Sequence, residues 1–420
     1  MKKMLYGLID CNNFYSSCER VFNPGLQNKP IVILSNNDGC IISRSNEAKA
    51  LGIPMGAPYF KYKGLIEKSE TAVFSSNFSL YGDMSARVMS FLPYFSPDFE
   101  VYSIDEAFLT LDLDQLPSPT LYAKAIQHTL LKSTGLPVSI GLAPTKTLAK
   151  VANYIAKKKT SDGIFELTDS NLDTHLANLD IEEVWGIGRK LGPKLRQRGI
   201  LTALDLKRSP PVVMRRQFNV IMEKMVHELN GYPCLTLEEI SPKDTITSSR
   251  SFGQKVTELS HIREALATHC AKACQKLRAQ GTVARGIILF IKTSKHDENQ
   301  LYFSKTKTCL FDAPLSDTGL ILEYIDSELQ TLFQPGLKYS KAGVTLIGIE
   351  EKATLAQDFI TPSPNRDALM SAIDNINRKF SKDTLIYGSM GTNPIWQAKQ
   401  NKKSPNFTTN WKELPLAYAN

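Results

Sequence analysis

Over the first 170 residues, short apolar runs alternate with longer stretches in which the apolar positions recur at helical spacing. Residues 4–10 read as a buried strand that ends on Asp10, and from Ser16 the positions Cys18, Val21 and Phe22 turn helical. Residues 30–34 are a second strand, closed by the turn-forming Ser35-Asn36-Asn37-Asp38-Gly39. Residues 40–52 suit a strand end and a short helix with a Ser near its start and Gly52 after its end. Aromatics are dense over 57–82, and 83–95 looks like an amphipathic helix ended by Pro93 and Pro97. A hairpin over 99–112, a helix over 119–133 and a strand over 137–142 follow, and Pro144-Thr145 opens a further helix. Strand–helix–strand–strand–helix–strand, with an insertion after the first helix, predicts an α+β sheet of ferredoxin-like type.

One strand breaks the pattern. Val101, Ile104, Phe108 and Leu109 are strand-forming types, yet Asp105 and Glu106 stand among them. Burying two carboxylates costs several kcal/mol unless positive charge meets them. No Lys or Arg lies nearby in sequence, so the partner comes from elsewhere in the fold or is a bound cation. Mg²⁺ suits oxygen ligands of this kind. Consecutive residues of a regular strand face opposite ways, so Asp105 and Glu106 can share a metal only at a turn, bulge or edge. A solvated acidic turn is the simpler alternative. In a ferredoxin-like sheet Asp10 could lie beside Asp105, and the helix after Pro144 carries Lys146, Lys150, Lys157, Lys158 and Lys159. Three carboxylates and a lysine-rich helix resemble the equipment for two-metal phosphoryl transfer, a logic shared by nucleotidyl transferases, cyclases and nucleases. Arg44 and Lys49, with Ser43 and Ser45, could bind phosphate or form a solvated helix face.

Charge and composition sharpen this. A formal net charge of +8 suits a polyanionic partner. No apolar run reaches the ~18 residues of a membrane span, and no signal-peptide core develops after the basic N-terminus. Seven scattered cysteines suggest reduced thiols and a cytoplasmic location. Cys270 and Cys274, beside His269, lack a matching second pair and read as core thiols. Residues 181–205 predict helix, Gly186-Ile187-Gly188 turn, helix, with Arg189, Lys190, Lys194, Arg196 and Arg198 around it, a pattern suited to DNA phosphates. A linker near 241–244 precedes a second α+β unit with helices near 260–280 and strands near 283–292, 300–308 and 342–350. Beyond Glu351 the pattern weakens into a tail with one amphipathic helix near 366–380.

Together the motifs resemble a Y-family translesion DNA polymerase, and within it the UmuC branch that supplies the catalytic subunit of DNA polymerase V. They are Asp10-Cys-Asn-Asn-Phe-Tyr15, Leu34-Ser-Asn-Asn-Asp-Gly-Cys40, Ser43-Arg-Ser-Asn-Glu-Ala-Lys49, Tyr102-Ser-Ile-Asp-Glu-Ala-Phe108, Gly141-Leu-Ala-Pro-Thr-Lys-Thr-Leu-Ala-Lys150 and the Gly186–Gly188 turn. The tail from Ser404 to Pro415 resembles the end of that branch. The resemblance implies a right-hand polymerase: palm (1–25 and 81–170), small fingers (26–80), helical thumb with a helix-hairpin-helix (171–240), α+β little finger (245–350) and UmuC-type tail (351–420). It implies Asp10, Asp105 and Glu106 as catalytic acids, holding two Mg²⁺ with the Cys11 carbonyl. Nucleotide contacts would come from Phe14, the steric gate Tyr15, Ser43, Asn46, Lys49 and Lys157, and DNA contacts from Gly186, Ile187, Gly188, Arg189 and Lys190. Asn46 stands where many relatives carry Tyr.

The implied activity is error-prone synthesis on damaged primer-template DNA from dNTPs, without proofreading, in a bacterial SOS response. Implied partners are a cleaved UmuD-type dimer, RecA and the sliding clamp, the last through a degenerate peptide at Leu355-Ala-Gln-Asp-Phe359. The alternatives are a DinB-type polymerase independent of UmuD, a catalytically inactive DNA-binding scaffold, and a two-metal nuclease. The tail argues against the first, the intact acids against the second and Tyr15 against the third.

Overall fold

A computed structural model describes residues 4–114, 116, 118–238, 243–354, 366–380 and 383–415. The clamp-type peptide expected at 355–359 and the Ser241-Pro242 part of the expected linker lie outside the described residues. The chain forms two compact units, one of Met1–Ser35, Cys40–Ile240 and Lys402–Asn420, the other of Asn36–Gly39 and Ser241–Asn401. The segment from 366 onward is therefore shared: its helix belongs to the second unit and its last residues to the first.

In the first unit, β1 (Met4–Cys11) leads into α1 (Phe14–Phe22). The insertion contains β2 (Ile31–Leu34), β3 (Ile41–Arg44), α2 (Asn46–Ala50), α3 (Tyr59–Lys68) and β4 (Ala72–Ser75). The chain returns through α4 (Phe78–Met89), α5 (Leu92–Phe95), the hairpin β5 (Phe99–Val101) and β6 (Glu106–Asp112), then α6 (Pro119–Thr134), β7 (Val138–Ala143), α7 (Lys146–Lys159) and β8 (Ile164–Glu166). The main sheet has the order β5-β6-β1-β7-β8, with β1 antiparallel to both β6 and β7. Its first four strands have the ferredoxin-like connectivity expected from the sequence. The insertion forms its own sheet, β3-β2-β4.

The helix expected over 83–95 is two helices. Asn77 caps α4 by accepting from the Leu80 N–H, which starts the helix at Phe78. Pro93, read as a stop, lies in the first turn of α5, where its missing N–H costs nothing.

Period-two alternation divides the main sheet between two cores. Leu5, Ile9, Leu109 and Leu111 face the core shared with α1, α4 and α6, whereas Leu8 and Phe108 face the core of α7 and the helices that follow. Asp10 and Glu106 are in phase with Leu8 and Phe108, so both point to the α7 side. Gly141 lets α7 sit close, since a Cβ there would be 2.2 Å from the Asn153 nitrogen. Asn153 then donates to the carbonyls of Ser139 at 2.9 Å and Leu8 at 3.3 Å, clamping helix to sheet.

Residues 172–229 supply α8 (Leu172–Ala177), α9 (Gly192–Arg196), α10 (Ala203–Arg208), α11 (Pro211–Gln217) and α12 (Val220–Leu229). The second unit contains β9 (Ile246–Val256), α13 (Leu259–Ala279), β10 (Thr282–Thr293), β11 (Ser304–Leu315), α14 (Thr318–Leu332), β12 (Tyr339–Glu351) and α15 (Asp367–Lys379). Its antiparallel sheet runs β11-β10-β12-β9 and buries its apolar face under α13 and α14. Cys270 and Cys274 are fully buried in that core, as expected of structural thiols.

Candidate active site

Asp10 and Glu106 are register partners at the ends of β1 and β6. Asp105 precedes β6 at the turn that the sequence required: its carbonyl accepts the Cys11 N–H at 2.8 Å. Its carboxylate accepts the Ser103 hydroxyl at 2.6 Å, and that hydroxyl also accepts the Asp105 and Glu106 N–H groups, which pins the turn. Cys11 is buried and its thiol is pushed up by burial and by Asp10, so only its carbonyl suits a hard cation. Among the described residues, no group of three or more His, Cys, Asp or Glu side chains is placed to hold a metal ion, and Glu106 and Asp10 are paired with lysines.

The positive charge absent from the local sequence comes from α7. Lys150 donates to both Glu106 oxygens at 2.8 Å, and Lys157 pairs with Asp10. Lys146, eleven residues before Lys157 and four before Lys150, forms a buried pair with Glu100 at 2.6 Å. Helical periodicity puts all three on the side of α7 that meets the acidic strands. Burial, and behind it the Glu106 carboxylate, raises the Asp10 pKa to about 7 although Lys157 opposes the shift. Lys150 also lies over the Tyr102 ring, 4.3 Å from its centroid, and 5.6 Å from that of Trp185. Lys150 was read from the sequence as one of the lysines of this helix, without a role of its own; its position four residues beyond Lys146 is the signal that sets it on the same face.

On the insertion side, Lys49 donates to Asn13 Oδ1 at 2.5 Å, and Asn13 donates to Asn46 Oδ1 at 3.0 Å. Asn46 thus joins the site through Asn13, which sequence reasoning missed. Asn13 adopts a left-handed conformation (φ 49°) that an Asn tolerates well, and this aims its side chain across to α2. Partial burial and the cations Arg44 and Lys157 hold the Lys49 pKa below the usual lysine range. Arg44, left unassigned by sequence, is near enough to act on Lys49 and donates to the Ile53 carbonyl.

Tyr15 is half-exposed, and its ring stacks on Tyr81 with centroids 4.4 Å apart and planes 14° apart. Burial and the nearby Asp105 raise its pKa. Two of the expected nucleotide contacts have buried side chains. Phe14 is buried in the sheet core, and Ser43 is buried on β3, because each points to the apolar side of its own element.

The Gly186–Gly188 turn is preceded by a single 3₁₀ turn at Ile181–Glu183 and followed by the short α9, in place of two full helices. Gly186 requires its glycine, with φ +88°. Ile187 is buried in the core, so its side chain anchors the turn. The Leu191 and Gly192 N–H groups donate to the Gly188 carbonyl, leaving neither for a phosphate. Arg196 is bound to Asp180 and Glu182 and Arg198 to Gln217, whereas Arg189 and Lys190 are exposed with no ion pair among the described residues.

The fold resembles that of solved Y-family DNA polymerases. A Y-family polymerase chimera built on Dbh is similar with a TM-score of 0.66 at 21% identity, over 83% of this chain and 99% of that one. An insertion ternary complex of Dbh DNA polymerase gives a TM-score of 0.55 at 22% identity, with the same coverage. The impB/mucB/samB family model matches residues 9–154, its helix-hairpin-helix motif 169–200 and its C-terminal domain 243–359. A domain of unknown function matches 367–417. UmuC of Salmonella typhimurium is 41% identical over 98% of this chain and 99% of its own length. ImpB of Salmonella typhimurium, at 38%, and MucB of Escherichia coli, at 35%, have the same coverage. The chain belongs to the UmuC/ImpB/MucB/SamB family of Y-family polymerases and is a DNA-directed DNA polymerase of the translesion class. A DNA polymerase IV of Pelotomaculum thermopropionicum is only 26% identical, over 90% of this chain, which sets the DinB-type alternative aside.

Proposed function

We propose that this polymerase copies damaged template by two-metal-ion nucleotidyl transfer, without proofreading, in a bacterial SOS response. The observation that carries the mechanism is the meeting of Asp10 and Glu106 across β1 and β6, with Asp105 at the adjoining turn and Lys150 and Lys157 held against them. The donor set fits a hard cation: three carboxylates and the Cys11 carbonyl supply oxygen only. The raised pKa of Asp10, buried beside a second carboxylate, is the charge conflict that a divalent ion relieves. Two Mg²⁺ held there would favour ionisation of the primer hydroxyl and neutralise triphosphate charge.

The remaining work falls to the chain. The primer 3′ oxygen attacks the α-phosphorus, the bond to the β-phosphate oxygen breaks, pyrophosphate leaves with that electron pair, and the hydroxyl proton passes to solvent. Lys49, Lys157 and Arg44 receive the triphosphate, and its arrival shares Lys157 between Asp10 and phosphate. Tyr15 lies beneath the sugar and excludes a 2′-hydroxyl. Arg189 and Lys190 meet the phosphates of the primer-template duplex without reading its sequence. The cleaved UmuD-type dimer, RecA and the sliding clamp are the proposed partners, and the cytoplasm, at the nucleoid, the proposed location. No described helix is long and apolar enough to cross a membrane.

Primer extension across an abasic site tests this, with wild type and Asp105→Asn, each with and without an activated UmuD–RecA mixture. We expect extension by wild type, strengthened by the partners and abolished by the substitution. Equal extension by the variant removes the acidic pair from the mechanism, and shortened primers in place of extended ones mark a nuclease.

A further inference from the structure

The last described residues return to the first unit and pack against it. The Ser75 N–H donates to the Lys402 carbonyl at 3.0 Å, and the Lys402 N–H donates to Ser75 Oγ at 2.9 Å. This lays the segment along the end of β4. Ser404, two residues further on, is buried, and its hydroxyl donates to Glu19 Oε1 at 3.0 Å. The same oxygen accepts the Tyr81 hydroxyl at 2.7 Å. Asn77 donates to the Ser404 carbonyl, the Ser404 hydroxyl and the Pro405 carbonyl, each at 3.1 Å. Phe407 stacks on Phe22 with centroids 4.9 Å apart, and Glu413 closes the segment by accepting from Asn406 and Asn410.

Glu19 is only 1% exposed and has no cation partner among the described residues. A carboxylate so placed depends on its hydroxyl donors. One donor comes from Tyr81, whose ring is the floor on which Tyr15 stacks; the other comes from the end of the chain. We propose that Ser404, acting through Glu19 and Tyr81, is a positioning residue that holds the Tyr15 ring and so sets the discrimination between deoxyribonucleotides and ribonucleotides. This rests on the assignment of Tyr15 as the sugar gate. It gives the end of the domain of unknown function a task within the polymerase unit.

The link has a physical logic. Tyr81 is fully buried, so its ring position is set by packing and by the single hydroxyl contact to Glu19. Without the Ser404 hydroxyl, Glu19 Oε1 loses one of two donors, the Asn77 amide loses one of three acceptors, and the bond fixing Tyr81 is free to reorganise. A 2′-hydroxyl is excluded by a contact of sub-ångström tolerance, so a small displacement of the stacked pair shows first in sugar choice.

The test is the ratio of kcat/KM for a dNTP to that for the matching rNTP, in the full-length chain, with thermal melting of each variant. The variants are Ser404→Ala, Ser404→Thr, Tyr81→Phe, Tyr15→Ala and the Ser404→Ala/Tyr15→Ala double. We expect Ser404→Ala and Tyr81→Phe to lower the ratio about tenfold, which corresponds to about 1.4 kcal/mol. The change should lie in KM for the rNTP, with dNTP kinetics within about twofold of wild type. Ser404→Thr should restore the ratio, and Ser404→Ala should add nothing in the Tyr15→Ala background. Wild-type discrimination in folded Ser404→Ala overturns the proposal, as does an equal loss for both sugars. If Ser404→Ala does not fold, Tyr81→Phe decides by the same criteria. Unchanged discrimination in Tyr15→Ala overturns the gate itself, a result separate from every Ser404 outcome.

Discussion

At the scale of single residues, Lys150 is the most informative group that the sequence placed on its helix without a role. It donates to both oxygens of Glu106 and is surrounded by the rings of Tyr102, Phe108 and Trp185, which limit where its amine can go. Lys150→Gln leaves Glu106 without its cation, and we expect kcat/KM for primer extension to fall about 100-fold. Arg should not rescue it, because a planar fork does not replace a compact ammonium in that ring of aromatics. His269 makes a different prediction. Burial, aided by Lys272, Arg250 and Lys341, lowers its pKa to about 3. The unfolded chain binds its proton near pH 6.5, so the folded state's advantage from neutral His269 is complete above that pH and lost as pH falls toward 3. Between pH 7 and 5, wild type should lose about 2 kcal/mol more stability than His269→Gln in denaturant titrations at each pH. Equal losses would show that His269 is not held neutral by the fold.

At the scale of elements, the contact between α7 and the main sheet sets the geometry of the site. The lysines of α7 reach Glu100, Glu106 and Asp10 because the helix lies against β7 at glycine distance. Gly141→Ala places a methyl 2.2 Å from the Asn153 nitrogen, backbone that cannot move aside cheaply. We expect a loss of about 3 kcal/mol in equilibrium unfolding, at the upper end of overpacking costs. Melting at the wild-type temperature would mean that α7 is not seated as described. The strands β1 and β6 were legible in the sequence, and with them the nearness of Asp10 to Asp105; the register that pairs Asp10 with Glu106 was not. The break between α4 and α5 was not, because it depends on Asn77 turning its side chain to the Leu80 N–H and not elsewhere. The Gly-Ile-Gly turn was legible as a turn. The division of labour within it was not, since Ile187 is apolar whether it faces core or DNA.

At the scale of the whole molecule, the +8 net charge fits a polymerase whose grip on DNA is largely electrostatic. Most of the candidate cations of the 186–198 segment are accounted for in different ways. Arg196 and Arg198 hold the protein together, while Arg189 and Lys190 face solvent. Lys190→Ala should therefore reduce the slope of log K against log salt for primer-template binding by about 1, uniformly across sequences. Arg196→Ala should act on stability instead. An unchanged slope for Lys190→Ala, measured by fluorescence anisotropy over a salt series, would remove that lysine from the phosphate contacts.

The alternation of apolar and polar positions determined the ferredoxin-like sheet, the hairpin carrying Asp105 and Glu106, and the second α+β unit, because strand and helix periods are local properties of the chain. Motif order was enough to identify the family. Tertiary structure alone decided which cation meets which carboxylate, that Phe14 and Ser43 point inward, and that Asn13 bridges to Asn46 and Lys49. It also brought Ser404 to Glu19, 385 residues away in sequence. Such contacts depend on how elements pack in space, and neither partner carries a local pattern that names the other.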